Sequence, residues 1–145
     1  GRFVAMNCGA VPDTLIETEL FGYRKGAFSG AVEDRPGIVR SAHQGTLFLD
    51  EIVELPLPAQ VALLRVLQER EVVPVGDTRP VPVDVRIVAA SQARIEALIE
   101  SGKFRADFYS RLAGFSFSLP RLADRRGLLQ ARAVSLGIPG RFLPG

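Results

Sequence analysis

Gly45-Thr46-Leu47-Phe48-Leu49-Asp50-Glu51-Ile52 is the stretch whose reading decides the fold. Thr46 to Leu49 is β-branched or apolar with no polar alternation, which suits a strand covered on both faces, as in a parallel sheet with helices on either side. In open α/β sheets ligands bind outside the carboxyl ends of the strands. Asp50 and Glu51 stand together at that end. Taken alone, the octet has two readings. The acids either handle a cation and a water molecule at a ligand site, or they open a helix whose first turn carries negative charge for dipole reasons.

Working outward, strands and helices alternate. Phe3 to Met6 is a short apolar strand that ends at Asn7. Thr14 and Glu17 have capping-box spacing, so a helix is expected to start there and to run to about Phe21, before Gly22. The loop Gly22 to Ala31 surrounds Phe28 with glycines, which permit tight or mobile backbone. Gly37 to His43 resumes a helix ahead of the central strand. Pro58 suits a first helical turn, followed by Val61, Leu64 and Leu67, with Leu63 and Val66 widening the stripe, to an end near Arg70. Val72 to Val83, with Gly76-Asp77 as a turn, reads as an irregular hairpin. Val85 to Ala90 is a second buried strand with Ser91-Gln92 at its carboxyl end, and Ser91 is a good cap for the helix that follows. Ile95, Leu98 and Ile99 form one face of that helix, closed by Gly102. Phe104, Phe108 and Leu112 are spaced i, i+4, i+8 on a further helix, with Arg105 and Arg111 at the edges of the stripe. Phe115 to Leu119 alternates like a strand and stops at Pro120. This order indicates an α/β fold with a parallel sheet and right-handed crossovers. After Arg121 the pattern fades, and residues 127–145 read as an irregular tail.

Composition narrows the class. The chain has 145 residues, enough for one domain with its own core, and is 47% hydrophobic and 23% charged, which excludes a disordered chain. No apolar run approaches the roughly 20 residues that span a bilayer. The single Cys8 excludes an internal disulfide, fits a reducing compartment and reads as core filler. The lone His43 has no metal-ligand or nucleophile partner at a useful spacing. Charge is lopsided: residues 1–102 carry 10 basic and 14 acidic side chains, residues 103–145 carry 8 and 2. The basic groups of that second part are almost all arginine, whose planar fork of donors suits phosphate. Few aromatics interleave with them, which argues against a nucleic-acid footprint.

On these motifs the chain resembles the central AAA+ ATPase domain of bacterial sigma-54-dependent transcriptional activators, the NtrC-like enhancer-binding proteins, over roughly residues 3–126. Gly26-Ala27-Phe28-Ser29-Gly30-Ala31 is similar to the family's GAFTGA loop, which contacts sigma-54. Ser29 keeps the hydroxyl of the usual Thr and loses its methyl. The Asp50-Glu51 pair resembles a Walker B end. The resemblance implies that Asp50 holds Mg²⁺ through water, that Glu51 positions the water attacking the γ-phosphate, and that Asn7 is a switch residue paired with Glu51. Ser91-Gln92 falls at the sensor I position, with a longer amide than the usual Thr-Asn. Arg105 and Arg111 match arginine fingers that reach the nucleotide of an adjacent protomer. Val72 to Val83 matches the family's second insertion.

The resemblance implies ATP and Mg as cofactors and sigma-54 RNA polymerase as partner. It further implies a homo-oligomeric ring, a cytoplasmic location without membrane contact, and DNA bound only through a separate domain. It implies a partial αβα sandwich at residues 1–126. The phosphate-cradling G-x-x-x-x-G-K-[ST] segment does not occur in the sequence, and neither does the family's helical lid. A fragment of a longer gene product is therefore expected. A non-hydrolysing interaction module is the alternative reading.

Overall fold

A computed structural model describes residues 2–113, together with the backbone of two strands at Ser116–Pro120 and Gln130–Leu136. The sheet begins with β1 (Phe3–Asn7), β2 (Thr46–Asp50) and β5 (Arg86–Ser91), which run parallel, with Leu47 opposite Val4 on one side and Ile87 on the other. Between them lie α1 (Asp13–Phe21), α2 (Gly37–Ser41), α3 (Leu57–Glu69) and a two-stranded hairpin of β3 (Glu71–Val72) and β4 (Val81–Pro82). Beyond β5 come α4 (Ile95–Glu100) and α5 (Ala106–Leu112), then β6 (Ser116–Pro120) and β7 (Gln130–Leu136). The sheet order is β1-β2-β5-β7-β6, and β7 is antiparallel to both of its neighbours. The parallel part is as expected. The strand anticipated at Phe115–Leu119 reaches the sheet only through β7, which lies in the stretch expected to be irregular.

One core joins Leu47 and Leu49 of β2 and Ile87 and Ala89 of β5 to Ile16 and Leu20 of α1, Val39 of α2 and Leu63 of α3. Removing a leucine side chain of this kind from water contributes about 1.5–3 kcal/mol. The expectation that β2 is covered on both faces holds for one face only. Leu47 and Leu49 are fully buried, whereas Thr46, Phe48 and Asp50 are half-buried. On that second face Phe48 stacks on Phe3 with centroids 6.4 Å apart, and Phe3 is itself exposed.

Local corrections follow from backbone chemistry. Helix α1 starts at Asp13, one residue before the capping box predicts, because Pro12 takes the cap position and fixes an extended entry; no side chain caps it. The stripe of α3 is rotated: Ala59, Gln60, Leu63, Leu64 and Val66 are buried and Val61 is exposed. Helix α4 begins at Ile95, and Ser91 caps a preceding turn instead, its Oγ accepting the Ala93 N–H at 3.1 Å. Phe104 and Arg105 precede α5 rather than lying in it, although Phe104, Phe108 and Leu112 are all buried and the two rings stack at 5.4 Å. His43 has a structural partner, accepting the Asp84 N–H at Nδ1 over 3.0 Å. Among the described residues no helix is long and apolar enough to cross a membrane.

Candidate functional site

The carboxyl ends of β1 and β2 lie side by side, with Asn7 in register with Asp50. Asp50 Oδ1 accepts the Glu51 N–H at 2.9 Å, which turns the chain sharply at the strand end. Glu51 then adopts φ 52°, ψ 52°, a left-handed conformation that costs a non-glycine residue on the order of 1–2 kcal/mol. Its carboxylate is thereby brought against Gly9, where a β-carbon would collide with Oε2. Asn7 comes close to the same point. Its Oδ1 accepts the Gly9 N–H at 2.8 Å and would stand 3.3 Å from that β-carbon. Asn7 and Glu51 are thus neighbours at Gly9, and the oxygen of Asn7 is engaged by the Gly9 turn.

Gly9 is a candidate position that the sequence alone did not reveal. It is one glycine among 14, and only the fold shows that its missing side chain makes room for a carboxylate. Cys8 is buried beside this pair. Burial first, and then the negative charges of Asp50 and Glu51, push its thiol up to about 12, so it stays protonated and unreactive. This agrees with core filler. Among the described residues no group of three or more His, Cys, Asp or Glu side chains is arranged as a metal cage. Mg²⁺ in phosphate-binding sites keeps several waters and takes one or two protein carboxylates besides phosphate oxygens, and Asp50 and Glu51 are the carboxylates at this strand end.

At the end of β5, Ser91 is buried and turned inward by its bond to Ala93, and Gln92 is exposed. Arg105 sits at the entry to α5 in extended conformation. Its guanidinium forks onto Asp107, Nε to Oδ1 at 2.9 Å and Nη2 to Oδ2 at 2.7 Å, which raises the arginine pKa and lowers that of the aspartate. Asp107 Oδ1 also accepts the Phe108 N–H within the first turn of the helix. Arg111, one helix length on, is exposed and reaches the Leu67 carbonyl at 3.4 Å. The structure therefore groups the candidate residues in two places: Asn7, Asp50 and Glu51 at the strand ends, and Arg105 and Arg111 at either end of α5.

The glycine-rich loop is a closed lariat. Gly26 N–H donates to Ala31 O at 2.8 Å, and Ala31 N–H to Phe28 O at 3.0 Å. Gly26 and Gly30 take φ 85° and 94°, which L side chains rarely adopt. Phe28 at the tip is 44% exposed and rests edge-on against Tyr23, centroids 4.8 Å apart. Ser29 lies beside it on the exposed side of the loop. The loop base is tied to the hairpin that β3 and β4 form. Arg24 Nε bonds Asp77 Oδ2 at 2.8 Å, Arg24 N–H donates to Val75 O at 3.1 Å, and Val75 N–H to Gly22 O at 2.9 Å. A methyl on Gly76 would meet Ala27 Cβ at 2.5 Å. Hydrogen bonds from Arg24 first, and from the Arg79 and Thr78 amides, hold the Asp77 carboxyl down at about 2.

The family model described as the Sigma-54 interaction domain matches residues 1–118. The chain is 52% identical over 134 residues to the hydrogenase transcriptional regulatory protein HoxA of Cupriavidus necator, covering 92% of this chain and 28% of that protein. It is 50% identical over 123 residues to the transcriptional regulatory protein GlrR of Escherichia coli K12, covering 85% and 28%. NtrX from Brucella abortus in complex with ATP superposes with a TM-score of 0.69 at 36% identity, covering 77% of this chain and 23% of NtrX. The chain thus spans between a fifth and a third of the length of each of these proteins.

Proposed function

Since this chain belongs to the Sigma-54 interaction domain family, we propose that it is the part of a bacterial transcriptional activator that turns ATP hydrolysis into remodelling of the sigma-54 RNA polymerase closed complex. Asp50 holds the Mg²⁺ of the nucleotide through water, and Glu51 orients the attacking water. Bound MgATP supplies the phosphoanhydride whose cleavage drives the cycle. Asn7 and Gly9 set where the Glu51 carboxylate stands, and Ser91 and Gln92 occupy the neighbouring strand end. Arg105 and Arg111 serve the site of the next protomer in a homo-oligomeric ring. The loop Gly26-Ala27-Phe28-Ser29-Gly30-Ala31 presents Phe28 to sigma-54.

The observation that carries this reading is the pairing of two features in one fold. A strand-end carboxylate pair is held in a strained turn, and a closed loop with a half-exposed aromatic tip is tied to a second insertion. Open-complex formation and ATP turnover, measured side by side on the gene product that carries this domain, test it. Phe28→Ala is expected to leave hydrolysis intact and to abolish open-complex formation; loss of both together would remove the loop's assigned role.

A second reading rests on the missing G-x-x-x-x-G-K-[ST] segment within residues 1–145. On it, the chain is a non-hydrolysing module that binds a partner. Titration of the 145-residue chain with ATP separates the two: micromolar affinity contradicts the module reading.

A further inference from the structure

Gln60 is the one fully buried side chain of α3 that is polar, with no measurable exposure. Its amide makes three hydrogen bonds, all to main chain. Nε2 donates to Leu55 O at 2.8 Å and to Lys103 O at 3.1 Å, and Oε1 accepts the Arg105 N–H at 2.9 Å. Both donors and one acceptor position are used, and the partners, two carbonyls and one N–H, fix which end of the amide is oxygen. The bonds to Lys103 and Arg105 flank Phe104, which is itself buried, so the amide pairs with this segment as a neighbouring strand would. The other buried side chains of α3, Ala59, Leu63, Leu64 and Val66, are apolar. The third bond reaches Leu55, which follows the short 3-10 turn Ile52–Glu54 leading directly out of Glu51.

We propose that Gln60 is the positioning residue of Arg105. Its buried amide locks the turn that aims the arginine outward to the chain segment that leaves Glu51. The inference rests on the reading of Arg105 as serving a neighbouring protomer's nucleotide. A bare structural role for Gln60 would damage the two sides of a protomer alike, whereas a positioning role damages the arginine side, held by two of its three bonds, more than the Glu51 side. Mixed assemblies of the gene product read this difference.

Gln60→Met, of similar length, leaves two carbonyls and one N–H without partners. Gln60→Glu keeps an acceptor for Arg105 and turns a carboxylate toward the two carbonyls. Each is expected to lower ATP turnover about tenfold when assembled alone. Mixed with Glu51→Gln protomers, which lack hydrolysis but retain Arg105, each is expected to recover turnover about threefold above the two separate preparations. Failure to recover, while an Arg105→Ala and Glu51→Gln mixture does recover, overturns the role of Gln60 alone. Failure of the Arg105→Ala mixture overturns the neighbour-serving arginine and the inference with it. Should neither Gln60 variant fold, amide exchange on the unaltered protein decides. An Arg105 N–H among the slowest to exchange supports the lock, and a fast one overturns it.

Discussion

A methyl group at position 9 would occupy the space that the Glu51 carboxylate takes. Gly9→Ala is therefore expected to displace Glu51 and reduce ATP turnover of the gene product by about tenfold or more, since a catalytic group misplaced by about 1 Å loses on the order of a hundredfold. Thermal unfolding is expected to move little, because Gly9 is exposed and lies in a short turn. Parallel assays of turnover and melting check the split; an equal loss of both would make Gly9 a folding residue. This position was not legible in the sequence, because a glycine's role lies in what approaches it. Asp50 and Glu51 were legible, because an apolar strand ending in acids is a local pattern. Asn7 was legible only through the resemblance, and its bond to Gly9 belongs to the fold.

At the scale of elements, α3 separates two kinds of information. Periodicity predicts a stripe through Val61, but Val61 is 47% exposed and Leu63 is fully buried. Leu63→Ala is expected to destabilise by about 2–5 kcal/mol through the cavity it leaves. Val61→Ser is expected to stay within about 0.5 kcal/mol, as surface substitutions do. Denaturant midpoints with an unchanged slope check both. Gln60 lies on the buried face with Leu63 and Leu64, three and four residues on, and the Lys103–Arg105 backbone satisfies its amide there.

The loop and hairpin form a second unit at this scale. The Asp77 carboxyl is held near 2 by Arg24, below the 3.8 of an ordinary aspartate. A carboxyl whose folded pKa is depressed stabilises above its unfolded value and loses that contribution as the pH falls. The tie between loop and hairpin is thus expected to hold above about pH 4 and to weaken as the pH falls toward 2. Amide exchange at Arg24, whose N–H bonds Val75, is expected to accelerate in that window. Asp77→Asn is expected to raise it already at neutral pH, and an unchanged rate would detach the ion pair from loop order.

For the molecule as a whole, Asn7, Asp50 and Glu51 gather at the strand ends, whereas Arg105 and Arg111 stand at the ends of α5, with Arg105 forked onto Asp107 in the same chain. If those arginines complete a neighbour's site, specific turnover of the gene product rises with protein concentration before it reaches a plateau. Turnover strictly proportional to concentration across a dilution series would place catalysis within one protomer. The lopsided charge belongs to the same scale: both arginines come from residues 103–145, the basic part of the sequence.

The sequence by itself determined the α/β class, the parallel strands β1, β2 and β5, the carboxylate pair and the glycine-rich loop. Each is written within a few consecutive residues, through strand hydrophobicity, strand-end acids or glycine spacing. Only the tertiary structure decided what crosses the chain: Gly9 under Glu51, Gln60 under Arg105, Arg24 on Asp77, and β7 between β5 and β6. These join residues 42 to 53 positions apart in the first three cases, or reverse a strand's direction in the fourth. Close approach, burial of a polar amide and strand pairing are set by the packed whole, because a side chain's partners come from whichever segments the core brings beside it.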